Sequence, residues 1–155
     1  MRALLILAVL LAAPVTVQAS PAPVTHEAVR RAAQAEAVPV EALLALWERE
    51  CSLRPVCGVG DGGRSYGPFQ VQAVAADRHG CEAGWQAGAG NARCAARILA
   101  DWDAGRGDWA RAFTRYNWPE WRGKGPSPYG METFHFMLRW LMRAQQTGTP
   151  RLAQS

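Results

Sequence analysis

From Pro39 to Cys51 the chain reads Pro-Val-Glu-Ala-Leu-Leu-Ala-Leu-Trp-Glu-Arg-Glu-Cys, a helix-forming run so apolar that it belongs inside the fold rather than on it. Pro39 sits where a first-turn proline belongs. At about 100° per residue, Glu50 returns to within roughly 20° of Leu43 and stands about 60° from Trp47, so its carboxyl points to the oily side. Glu48 falls on the opposite side with Glu41 and reads as a solvated helix acid. Apolar surroundings penalise the charged form of a carboxyl and raise its pKa. An acid held protonated near neutrality is what proton donation requires. A helix-end acid paired with an arginine is the other reading of the same position.

No convincing period-two run competes with the helical pattern, so the sequence predicts a mainly α fold. Thr25 can cap a first helix through about Ala37, and the Pro39 helix ends near Cys51. The stretch from Ser52 to Gly67 is rich in glycine and contains Asp61-Gly62-Gly63, which reads as a loop or a small hairpin. Pro68 is expected to start a helix toward Arg78, Asn91 to cap a longer one that stops at Gly105, and Asp108 to cap a short one ending at Tyr116 and Asn117. A loop over 118–130 then leads to a last helix from about Met131 to Ala144. Its Phe134, Met137, Leu138 and Leu141 read as a core stripe.

Arg2 is followed by an unbroken apolar run from Ala3 to Ala13 and then by Val17-Gln18-Ala19. The run is too short to span a bilayer, and small residues stand at cleavage spacing. Residues 1–19 are therefore expected to be a secretory signal peptide, 20–146 the domain and 147–155 a frayed tail, with no stable membrane insertion after cleavage. An uncleaved anchor is the competing reading. The four cysteines suit an oxidising compartment and two disulfides. Three pairings are possible, and Cys51 with Cys57 and Cys81 with Cys94 are preferred because each pair brackets a loop. No Cys-x-x-Cys occurs and the histidines stand off ligand spacing, so a metal site is not expected. The formal net charge of +4 is carried almost entirely by arginine. It favours an anionic surface such as a cell wall, and without a dense basic run interleaved with aromatics a nucleic-acid partner is not expected.

Three separated pieces carry a resemblance. Residues 42–52, Ala-Leu-Leu-Ala-Leu-Trp-Glu-Arg-Glu-Cys-Ser, end an apolar helix in Glu50; Ser65-Tyr66-Gly67-Pro68-Phe69-Gln70 follows; and Arg115-Tyr116-Asn117 closes a short helix. Taken together they resemble the catalytic domain of soluble lytic transglycosylases in the lysozyme-like superfamily, over roughly Val38 to Leu141. There an apolar helix ends in the catalytic Glu, and Ser-x-Gly-Leu-Met-Gln and Ala-Tyr-Asn follow in order. The resemblance implies a lysozyme-like helical domain with the Gly-rich loop beside a cleft, exported to the periplasm or secreted, acting on peptidoglycan glycan strands without metal or cofactor. Glu50 would be catalytic, and Ser65, Gln70, Tyr116 and Asn117 would bind substrate. Phe69 stands in place of Met, Cys51 in place of the usual Ser, and Phe136 in place of the Tyr in Glu-Thr-x-x-Tyr. A small exported domain of this kind could also serve as the wall-opening component of a secretion, pilus or conjugation apparatus.

The segment Asp61 to Gln70 is also similar to the Asp-Gly-x-x-Asp-Tyr-Gly-x-x-Gln signature of c-type lysozymes, but Ser65 stands where that signature has its second catalytic carboxylate. Glu50 would then act alone, as acid and afterwards as base. Asp61 could instead activate water, as in an inverting hydrolase, or be an Asp-Gly turn residue. Trp118 and Trp121 read either as a sugar platform or as loop anchors, whereas Trp47, Trp102 and Trp140 read as core. A muramidase of the same fold, a nucleophilic hydrolase and a noncatalytic wall-binding module are the alternatives. No Gly-x-Ser-x-Gly elbow occurs, which counts against the nucleophilic class.

Overall fold

The computed structural model describes residues 22–147. The expected signal peptide and the expected tail beyond Thr147 lie outside the described residues. Among the described residues six helices and one short hairpin follow in the order α1 (His26–Ala35), α2 (Val40–Cys51), β1 (Ser65–Tyr66), β2 (Val71–Gln72), α3 (Ala73–Arg78), α4 (Gly88–Asp103), α5 (Trp109–Asn117) and α6 (Pro128–Gln146). The fold is mainly α. Helix α2 packs against α1, α4 and α6; α4 packs against α1 and α5; and α5 packs against α6. The core they enclose contains Leu43, Leu46 and Trp47 from α2, Ile98 and Leu99 from α4, Phe113 from α5, Met137 from α6 and Phe69 from the hairpin turn.

Local chemistry sets the helix starts. Thr25 Oγ1 accepts from the Ala28 N–H at 3.1 Å, and Asp108 Oδ1 accepts from Arg111 N–H at 3.2 Å, as side-chain caps. Pro39 lies just outside α2 rather than in its first turn, and its carbonyl accepts from Ala42 and Leu43 N–H. The last helix begins at Pro128, not Met131, because Ser127 caps it and Pro128 needs no N–H in the first turn. Ser127 Oγ accepts from Gly130 N–H at 3.1 Å. The Thr114 hydroxyl fastens this start to α5: it donates to the Ala110 carbonyl at 2.8 Å and accepts from Ser127 N–H at 2.9 Å. Gly130 lets the two helices approach, since a Cβ there would stand 2.1 Å from Thr114 Oγ1 and 2.3 Å from the Ala110 carbonyl.

Four further expectations are corrected. Pro68 does not open a helix; it lies in the turn of an antiparallel hairpin that pairs Ser65 with Gln72 and Tyr66 with Val71, and α3 starts only at Ala73. Asn91 does not cap α4, which begins at Gly88; Asn91 is fully buried within the helix and bonds the hairpin. Glu48 is not free in solvent. Its carboxylate pairs with Arg139 Nη2 at 2.9 Å and accepts from Trp140 Nε1 at 2.8 Å, tying α2 to α6. Leu138 is 38% exposed and leaves the core stripe to Met137, with Phe134 and Leu141 packed against it. Trp47 is buried, while Trp102 and Trp140 are half-buried against the core. Disulfides join Cys51 to Cys57 and Cys81 to Cys94. Among the described residues no helix is long and apolar enough to cross a membrane.

Candidate active site

Helix α2 delivers Glu50 one residue before the Cys51–Cys57 disulfide, and Trp47 Nε1 donates to the Arg54 carbonyl at 2.8 Å, so the helix end and the chain that leaves it are held together. The Glu50 carboxyl meets α6, where the Tyr129 hydroxyl donates a short hydrogen bond to its Oε1. Burial raises the pKa of Glu50, opposed by the Tyr129 bond and the Arg49 charge and assisted by the negative charge of Asp61. Burial, together with the charge of Glu50, also holds the Tyr116 and Tyr129 phenols well above their ordinary range, so both stay protonated donors. The Arg49 guanidinium lies 5.0 Å from the Tyr129 ring centroid and pairs with Glu132 at 3.4 Å, which steadies the phenol from outside.

A shallow, open cleft lies beside Glu50 and is lined by Asp61, Gln70, Val71, Tyr116 and Asn117 among others. Of the residues singled out from sequence, Glu50, Gln70, Tyr116 and Asn117 therefore share one cavity. Tyr116 does not bond Glu50; its hydroxyl donates to the Phe69 carbonyl at 2.8 Å and fixes the hairpin turn against α5. Gln70 has a positive φ of 47° and donates its amide to the Gly58 and Gly67 carbonyls at 3.0 and 2.8 Å, bracing the turn while facing the cleft. Asn117 is exposed at the end of α5. Ser65 is not among the lining residues: it is buried, and its hydroxyl donates to Asp61 Oδ2 at 2.5 Å. Its place in the fold is to orient Asp61.

The hairpin hangs on Asn91. Its Oδ1 accepts from Phe69 N–H at 2.9 Å, and its Nδ2 donates to the Tyr66 and Trp85 carbonyls, each at 3.0 Å. Gly67 makes the approach possible, with a φ of 68° and a Cβ position that would fall 2.5 Å from Asn91 Oδ1. Neither Asn91 nor Tyr129 is recognised as a site residue from sequence. The usable signal for Tyr129 is Ser127-Pro128, a cap and first-turn proline that would have started α6 early enough to bring Tyr129 onto it.

The site combines a half-buried carboxyl of raised pKa, a phenol that donates to it and a second carboxyl, Asp61, in the same cleft. Such a set can donate a proton to a leaving oxygen and take one back, or can hold a water between two carboxyls. Among the described residues no group of three or more His, Cys, Asp or Glu side chains is placed to hold a metal ion. The chain matches no protein-family model, no curated protein and no solved structure.

Proposed function

We propose that this protein is a peptidoglycan lytic transglycosylase of lysozyme-like fold, acting in the periplasm or outside the cell. The observation that carries the reading is Glu50: a carboxyl on the inner face of an apolar helix, with its pKa raised by burial, beside an open cleft. Protonated Glu50 donates to the oxygen leaving the anomeric carbon of N-acetylmuramic acid, and the sugar's own acetamido oxygen stabilises that carbon. Ionised Glu50 then takes the proton from the C6 hydroxyl as its oxygen attacks the anomeric carbon, which closes a 1,6-anhydro ring. No water is consumed, and the carboxyl returns to its starting form. Tyr129, which donates to Glu50, favours the ionised form that the second half requires. The two disulfides are compatible with a secreted protein.

Hydrolysis is the second reading, favoured by the presence of Asp61 in the cleft and its orientation by Ser65. Here Glu50 protonates the leaving oxygen while Asp61 activates a water, and the sugar gains a reducing end. Digestion of purified peptidoglycan followed by mass spectrometry of the soluble products separates the two. Anhydro ends, lost by about 100-fold or more in Glu50→Gln, are the expected result; reducing ends lost in Asp61→Asn would establish hydrolysis. Release by Glu50→Gln at the parent rate would refute both.

A further inference from the structure

The loop after α5 carries an aromatic pair that the proposed chemistry does not use. Trp118 is 52% exposed and follows directly on Asn117, which lines the cleft. It is exposed but fixed. Its backbone N–H donates to the Thr114 carbonyl at 2.8 Å, and its backbone carbonyl accepts from the Trp121 backbone N–H at 3.0 Å. The Trp121 ring meets it nearly edge-on, with centroids 5.0 Å apart and planes at 61°. Trp121 is anchored in turn, its indole N–H donating to the Gly125 carbonyl at 2.7 Å. The Arg115 guanidinium, bonded to the Pro119 carbonyl, closes the base of the loop. Trp121 is thus the loop anchor: the backbone of Trp118 is held, and its indole rests edge-on against the Trp121 ring with much of its surface open to solvent.

We propose that Trp118 is a stacking platform for a pyranose ring of an extended N-acetylated β-1,4 glycan whose neighbouring sugars occupy the Glu50 cleft. Indoles attract the C–H faces of sugars, and a side chain on a held backbone, with one face against a neighbouring ring, loses less conformational freedom when the sugar docks than one on a free loop. Trp118 therefore acts on glycan length rather than on bond cleavage. This inference rests on the glycan reading of the cleft for its ligand class, and the experiment keeps the two apart.

Oligomers of N-acetylglucosamine, two to six sugars long, are titrated by calorimetry into the Glu50→Gln protein with Trp118 intact, changed to Ala or changed to Tyr. The expected result is that Trp118→Ala weakens the hexamer by about tenfold and leaves the dimer within twofold, whereas Trp118→Tyr keeps most of the affinity. Thermal unfolding of each variant is followed in parallel. Equal affinities for the hexamer, or equal losses for dimer and hexamer, would overturn the platform, and a fall in Tm alone would make Trp118 structural. If the parent releases soluble wall glycan yet no oligomer binds through Trp118, this inference fails while the proposed function stands. If nothing is released and nothing binds, both fail.

Discussion

Replacing Asn91 tests whether the cleft wall is hung from α4 as its geometry requires. Asn91→Ala deletes three hydrogen bonds at once, one to Phe69 N–H and two to the Tyr66 and Trp85 carbonyls. Each such bond contributes about 1 kcal/mol net, and a buried partner left unsatisfied costs about 1–3 kcal/mol. The residue is fully buried, so water does not replace the lost bonds without rearrangement. The sum is about 3–5 kcal/mol, a large share of the roughly 5–15 kcal/mol available to a domain. At about 4 °C per kcal/mol, Tm falls by about 12–20 °C. Asn91→Asp sharpens the test, because it keeps the acceptor for Phe69 but turns a carboxyl oxygen toward two carbonyl oxygens. The introduced carboxyl has a raised pKa in the folded state, so the folded state binds more protons than the unfolded one. Stability then falls as pH rises through the ordinary carboxyl range, and the Tm gap to the parent is wider at pH 7 than at pH 4. Circular dichroism melts at both pH values provide the readout. A Tm for Asn91→Ala within about 3 °C of the parent would refute the role assigned to this side chain, as would an Asn91→Asp gap that does not change with pH.

Two further predictions concern Glu50. Tyr129→Phe removes a bond that favours the ionised carboxyl, so the pKa of Glu50 rises further; the alkaline limb of the kcat/KM profile for wall release moves to higher pH, and an unmoved limb would show that Tyr129 does not act through Glu50. Because burial raises the folded-state pKa of Glu50, its charge destabilises the fold above the ordinary carboxyl range; Glu50→Gln should therefore melt a few degrees higher at pH 7 and converge with the parent near pH 4, as followed by calorimetry.

Local signals in the sequence match the structure where the physics is local. Thr25 and Asp108 bond the amides of residues three further on, and both caps form as expected. The inward aim of Glu50 follows from helical period alone. Sequence and structure part where a partner lies far along the chain. Asn91 is a good cap by type, but its bonds go to Tyr66 and Phe69, more than twenty residues back. Pro68 can start a helix, yet Gly67, held in the left-handed region against Asn91, turns the chain into a hairpin first. Glu48 looks solvated on an isolated helix and is claimed by Arg139 and Trp140 only once α6 arrives. Tyr129 meets Glu50 across 79 positions, a contact no spacing rule reaches.

The Thr114 hydroxyl, which bonds both Ala110 and Ser127, has a consequence for how a site of this kind can diversify. With Gly130 it rivets the end of α5 to the start of α6 beneath the loop that joins them. The two ends of that loop are thus fixed by contacts outside it, and changing its length adds only a slowly growing closure cost. Asn117 and Tyr129 keep their places while the intervening segment, Trp118 and Trp121 included, is exchanged. The molecule is built like a tool with a fixed chuck and a replaceable bit: the loop that carries Trp118 can be remodelled without disturbing the contact between Tyr129 and Glu50.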